Sequence, residues 1–218
     1  MKKFQLLLFL LVIPLVFTSC KSKEDKAAEL VKNELSKTLY DFDSYEPIET
    51  KVSEAYETAY NDTTCFRQAL AICYIMEKTS KAFDEAKDAK ERAEIWGPPT
   101  YYSSSYSDRQ YRKYSNEAKE KADEALKGYE LFKTMGAALT DSIKHLDNKK
   151  VIGWEIKHRF RCKTKGGQNT IADYRYIVDT DFKVVYFCED IDDDDYKHTR
   201  EIIDSALKGE FTNLDNDK

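Results

Sequence analysis

Histidine is scarce in this chain, with three among 218 residues, at His145, His158 and His198. None follows a nucleophile elbow or an HExxH pattern, so the sequence carries no catalytic motif of those kinds. No CxxC and no Cys/His pair at metal-ligand spacing occurs, and the residues call for no metal and no cofactor. Glycine is also sparse, at seven residues. Lys163-Thr164-Lys165-Gly166-Gly167 has too little of a phosphate-binding loop to count as one. A concentrated basic face is missing as well. The 35 basic residues are interspersed with 40 acidic ones, for a formal charge of −5, and nucleic acid is therefore excluded as a partner class.

The start of the chain is informative. Lys2 and Lys3 precede an apolar run from Phe4 to Phe17, and Thr18-Ser19 lead into Cys20. A charged start, a short hydrophobic stretch and small residues before a cut site make a secretory signal, and the run is too short to span a bilayer comfortably. Phe17-Thr18-Ser19-Cys20 resembles the lipobox of bacterial lipoproteins. That resemblance implies cleavage before Cys20, acylation of the new amino-terminal cysteine, and attachment to a membrane through the lipid. Lys23-Glu24-Asp25 resembles the lysine-then-two-acids signal that sends lipoproteins of some Gram-negative groups to the outer leaflet of the outer membrane. It implies a lipid-anchored outer-membrane location, with the cell surface preferred over the periplasm. A charged tether that keeps an anchored domain clear of lipid accounts for the same residues.

Removal of residues 1–19, which hold Lys2 and Lys3 and no acid, leaves 199 residues and takes the formal charge from −5 to −7. The expected organisation is a signal peptide over 1–19, the acylated cysteine and a tether over 20–26, and a helical region over 27–148. Sheet plus helix follow over 149–208, then a flexible tail over 209–218.

Apolar positions Ala27, Leu30, Val31, Leu35 and Leu39 follow helical spacing and predict a first helix over 26–39. Pro47 interrupts, and a second short helix is expected from Ile48 to Tyr60. The main periodicity comes next. Cys65, Ala69, Ile72, Met76, Thr79, Phe83, Ala86, Lys90 and Ala93 alternate steps of four and three up to a stop at Trp96-Gly97-Pro98-Pro99. Ser115, Ala118, Ala122, Ala125, Tyr129, Phe132, Gly136, Leu139, Ile143 and Leu146 continue the alternation. Two such segments with matching seams predict a long antiparallel helical hairpin, with arms of about 50 Å at 1.5 Å per residue.

After Asp147-Asn148 the period becomes two. Ile152, Trp154, Ile156, His158, Phe160 and Cys162 alternate with charged residues, the mark of a half-buried strand. Strands over 171–179 and 182–188 complete an expected three-stranded antiparallel meander, and Asp192 to Asp195 cap a last helix from Tyr196 to Leu207. The fold class read from sequence is α+β: N-terminal helices with the hairpin, then the meander and a C-terminal helix.

Cys65, Cys73, Cys162 and Cys188 remain after Cys20. The first two, eight positions apart on one helix, are about 12 Å apart along its axis, beyond disulfide reach. Cys162 and Cys188 have a strand between them, so four mostly buried thiols are expected, and a bridge between helical and sheet parts is the lesser alternative.

Tyr101, Tyr102 and Tyr106 stand among serines in the hairpin loop, with Tyr111 just beyond. Phenols offer contact area at few torsions, so this cluster is the binding candidate for a protein or glycan partner, weighed against rings that close the end of the hairpin over Trp96. The acidic run Asp190 to Asp195 lacks the glycine and distal glutamate of an EF-hand, and charge at a helix N-terminus explains it more simply than calcium. The functional expectation is a non-enzymatic binding or scaffold module on a lipid anchor. Its mature part resembles uncharacterised envelope lipoproteins, a likeness that carries no activity. The alternative is an envelope hydrolase that uses carboxylates such as Glu189 and Asp190 with a histidine near the sheet. A third reading has the apolar strand face cradle a ligand.

Overall fold

The computed structural model describes residues 21–213. Residues 1–20, on which the expected signal peptide and acylated cysteine fall, and residues 214–218 lie outside the described residues. Helix and sheet are mixed: α1 (Lys23–Thr38), a 3-10 turn (Phe42–Ser44), β1 (Glu46–Tyr56), α2 (Thr63–Trp96), α3 (Ser105–Lys144), β2 (Val151–Lys163), β3 (Asn169–Val178), β4 (Val185–Asp190), α4 (Asp194–Leu207) and α5 (Glu210–Asn213). The sheet is antiparallel with four strands in the order β1-β2-β3-β4.

The fourth strand corrects the expected three. Glu46–Tyr56 is β1 and not the second short helix. Ile48, Thr50 and Val52 are β-branched and alternate with Glu49, Lys51 and Ser53, a period of two that suits a strand with one wet face. Pro47 fits at the start of an edge strand, where its missing N–H removes no ladder bond from the sheet interior.

The chain divides into two compact units, one of Met1–Glu54 with Gly153–Cys188 and the other of Ala55–Ile152 with Glu189–Lys218. In the first unit β2 and β3 pair from Trp154 opposite Val178 to Lys163 opposite Asn169. The alternation read from sequence holds, because Ile156, His158, Phe160 and Cys162 are all buried. Ala27, Val31 and Leu35 of α1 pack with Ile156, Phe160, Cys162, Tyr176 and Val178. That face is filled by a helix and is not an open cradle.

Helix α1 begins earlier than its apolar pattern implied. Ser22 is its N-cap: the hydroxyl accepts from Asp25 N–H and the Asp25 carboxylate accepts from Ser22 N–H, both at 3.1 Å. This reciprocal capping box satisfies two end donors at once. The charged stretch over 20–26, expected as tether, is helix from Lys23 onward.

The second unit is built on α2 and α3. Glu85 pairs with Lys121 at 2.8 Å, Arg92 lies over the Tyr114 ring at 6.0 Å, and Thr79 packs against Gly128. As residue numbers fall on α2 they rise on α3, so the two helices run antiparallel. Their core holds Cys65, Ala69, Ile72 and Leu139 with Ile202, Ile203 and Ala206 of α4 and Phe211 of α5. Phe211 is buried and its ring sits on Gly136, whose Cβ would lie 2.5 Å from the ring's Cγ atom. The tail expected to fray from residue 209 therefore starts with a short packed helix.

Candidate functional site

The seam between α2 and α3 departs from its expected course after Ile72, where Met76 is left exposed. On α2 the buried residues are Cys65, Ala69, Ile72, Ala82, Ala89 and Ala93. The register thus passes from Thr79 to Ala82, and Phe83 is left 65% exposed. On α3 Ala125, Gly136, Leu139 and Thr140 are buried, while Leu126 is 61% exposed and Ala122 and Tyr129 are exposed too. An α-helix turns by 3.6 residues, and a strict heptad stripe drifts off a straight partner over this length. Small residues let the axes close up, and the large ones are displaced to the outside.

The displaced side chains form a groove. Met76, Phe83 and Phe132 line it with Ala122, Leu126 and Tyr129, around a volume of about 580 Å³. Thr79 and Ser80 are its polar lining. The Thr79 hydroxyl is buried and has no hydrogen-bond partner among the described residues. Lys121 stands beside this packing and bridges Glu85 at 2.8 Å and Glu124 at 3.0 Å. Those bonds raise its pKa above the ordinary lysine value, the Glu85 bond first.

The tyrosine loop is partly folded on itself. Tyr106 packs edge-on to Trp96, with centroids 5.5 Å apart. Tyr101 and Tyr102 make a perpendicular pair at 5.3 Å and are 95% and 93% exposed. Tyr111 is half-buried on α3. Only Tyr106 thus performs the closing role over Trp96.

The histidines stand apart in role. His158 is 1% exposed; its Nε2 meets the Tyr45 hydroxyl at 2.9 Å and its Nδ1 meets Thr50 Oγ1 at 2.9 Å. Burial lowers its pKa below the ordinary 6.5, because charging the ring there forfeits hydration. Both nitrogens bond to hydroxyls, an arrangement without the carboxylate that orients a catalytic base. His145 Nδ1 lies 2.8 Å from the Asp141 carbonyl at the end of α3, and His198 is exposed on α4.

Asp193 caps α4, accepting from Asp195 N–H at 2.8 Å and Tyr196 N–H at 3.3 Å, and Asp190 Oδ1 accepts from Asp192 N–H at 3.1 Å. The acidic run is spent on the helix start. Among the described residues no group of three or more His, Cys, Asp or Glu side chains is placed to hold a metal ion. The four described cysteines are free thiols: Cys65 and Cys162 buried, Cys73 half-buried and Cys188 exposed. Burial, with the Asp62 charge next, pushes the Cys65 thiol up to about 12.

No family model, curated protein or solved structure matches this chain. The groove was missed in the sequence because its lining was assigned to the seam. The signal that reveals it is the width of the stripe: Ala82 beside Phe83 and Ala125 beside Leu126 give each helix more apolar face than one partner covers.

Proposed function

We propose that the chain is a lipid-anchored lipoprotein of the outer membrane that acts as a non-enzymatic binding module, with the groove on the α2–α3 hairpin seating an amphipathic helix of a partner protein. One observation carries this reading. Met76, Ser80 and Phe83 on α2, and Ala122, Leu126 and Tyr129 on α3, repeat at steps of four and three on two antiparallel helices. That is the spacing a third helix needs to lay its own apolar stripe between them. Acids and bases of both signs on the flanking faces, such as Lys81, Asp84, Lys119 and Glu130, suit a helix that is itself flanked by mixed charge. Anchoring through Cys20, with the cell surface preferred over the periplasm, follows from the leader and from Lys23-Glu24-Asp25.

The test places a photo-crosslinking amino acid at position 83 in cells that export the chain. The expected adduct is a single protein species joined through an amphipathic helical segment, lost when Leu126→Glu is added. An adduct with a second copy of this chain, with lipid alone, or no adduct would each overturn the assigned occupant. An impermeant label applied to intact cells checks the location: modification of surface lysines is expected, and protection overturns the cell-surface preference.

A further inference from the structure

The capping box at Ser22 fixes how close the anchor holds this protein to its membrane. Rigid structure begins two residues after Cys20, and two residues reach about 7 Å at full extension. Whatever surrounds the N-terminus of α1 in the first unit is therefore held near the lipid.

That surroundings has interfacial chemistry. The Lys23 ammonium lies 3.8 Å from the centre of the Trp154 indole. The indole stacks on Phe182 with centroids 5.9 Å apart and planes 5° apart, and its Nε1 donates to the Thr180 carbonyl at 3.0 Å. Phe182 sits at φ 59°, a left-handed backbone that a phenylalanine adopts at a cost and that glycine or asparagine would occupy more easily. A bulky ring is nevertheless kept at the turn between β3 and β4. Val184 and Lys183 beside it are exposed. Of the acids on this face, Glu24 is exposed beside Lys23 in the first turn of α1, and the others are engaged within the protein: Glu29 with Lys21, Asp25 in the capping box, Asp181 with Lys183 at 3.1 Å, and Asp179 with Lys183 N–H at 2.6 Å and Val184 N–H at 3.0 Å. Tryptophan and lysine side by side are the residues that settle at the headgroup level of a bilayer.

We propose that the face formed by the N-terminus of α1, Trp154 and the turn over residues 179–184 lies against the phospholipid headgroups. This rests on the lipid-anchor reading and goes beyond it by giving the anchored domain a defined orientation. The ring pair meets the interface, and Lys23 beside it reaches the phosphates.

The sequence has two tryptophans, so Trp96→Phe leaves Trp154 as the only one. The full chain, exported and acylated in bacteria, is reconstituted on vesicles of phosphatidylcholine and phosphatidylglycerol, with and without a nitroxide on the phosphatidylcholine headgroup. Flotation with the vesicles and a fall in Trp154 emission of about twofold are expected. The chain made without residues 1–20, beginning at Lys21, is expected neither to float nor to be quenched. A wild-type chain that fails to float overturns the anchor reading and this proposal together; one that floats with Trp154 unquenched overturns the orientation alone. Hydrogen exchange needs no tryptophan substitution: amides 180–184 are expected to exchange more slowly in the vesicle-bound wild type than in the chain that begins at Lys21, and equal exchange overturns the orientation.

Discussion

The phenol of Tyr45 and the imidazole of His158, 113 residues apart in the chain, share a hydrogen bond of 2.9 Å inside the first unit. Tyr45 precedes β1 and His158 lies on β2, and Thr50 of β1 closes the other side of the ring at 2.9 Å. Burial there disfavours the charged form of the ring.

A pH dependence follows. Burial depresses the folded-state pKa of His158 below 6.5, so below that value the unfolded chain binds a proton that the folded one refuses. Stability is complete above about pH 6.5 and falls with acidification, by up to about 1.4 kcal/mol per pH unit until the folded-state pKa is reached. Urea midpoints between pH 7.5 and 5 are expected to show this fall, and His158→Gln is expected to flatten it.

The displaced seam separates two neighbouring positions. Ala82→Leu forces extra methylenes between α2 and α3 and is expected to cost about 1–3 kcal/mol. Phe83→Ala removes an exposed ring and is expected to cost well under about 1 kcal/mol. Thermal unfolding of the pair decides between this register and the one in which Phe83 is the seam residue, for which the order reverses.

Gly136 is fixed by the ring of Phe211. A Cβ there would overlap the ring, so Gly136→Ala is expected to destabilise by about 1–3 kcal/mol despite the roughly 1 kcal/mol helix-propensity advantage of alanine. Phe211→Ala is costly alone. In the double variant the alanine at position 136 is expected to become neutral or stabilising, which a double-mutant cycle of denaturant midpoints reads directly.

Arg175 Nε donates to Glu155 Oε1 at 3.0 Å, and the arginine side chain is 4% exposed. Glu155→Ala removes one charged partner of a buried guanidinium and is expected to cost about 1–3 kcal/mol. Arg175→Met, which removes the charge and keeps the stem, is expected to cost less. Denaturant unfolding of the two variants gives the order.

The thiols are expected to react in order of exposure. Cys188 is modified by a maleimide in the native protein at pH 7.5, while Cys65, buried with its pKa pushed up to about 12, reacts only on unfolding. Mass spectrometry of timed samples reads the sequence of modification.

Much of this organisation was legible in the residues. The alternation from Ile156 to Cys162, the stop at Trp96-Gly97 and the cap at Asp193 are local signals, each set by side-chain period or by the needs of a helix end. The strand over Glu46–Tyr56 was not, since eleven residues with Ala55 and Tyr56 at their end fit a short helix as well until β2 supplies hydrogen-bond partners along one edge. Of the candidate tyrosines, Tyr101 and Tyr102 lie between α2 and α3 while Tyr106 belongs to the first turn of α3, and the rings could not be sorted into packed and exposed without Trp96 beside them.

The sequence by itself determined that α1, α2, α3 and α4 are helical and β2, β3 and β4 extended, because those follow from periods of 3.6 and 2 and from capping residues within a few positions; the state of Glu46–Tyr56 it left to pairing with β2. Tertiary structure alone decided which of two adjacent apolar residues faces inward. Ala82 and Phe83 differ by about 100° around one helix, and the choice between them rests on how closely α3 approaches at Gly128, a property of two helices together.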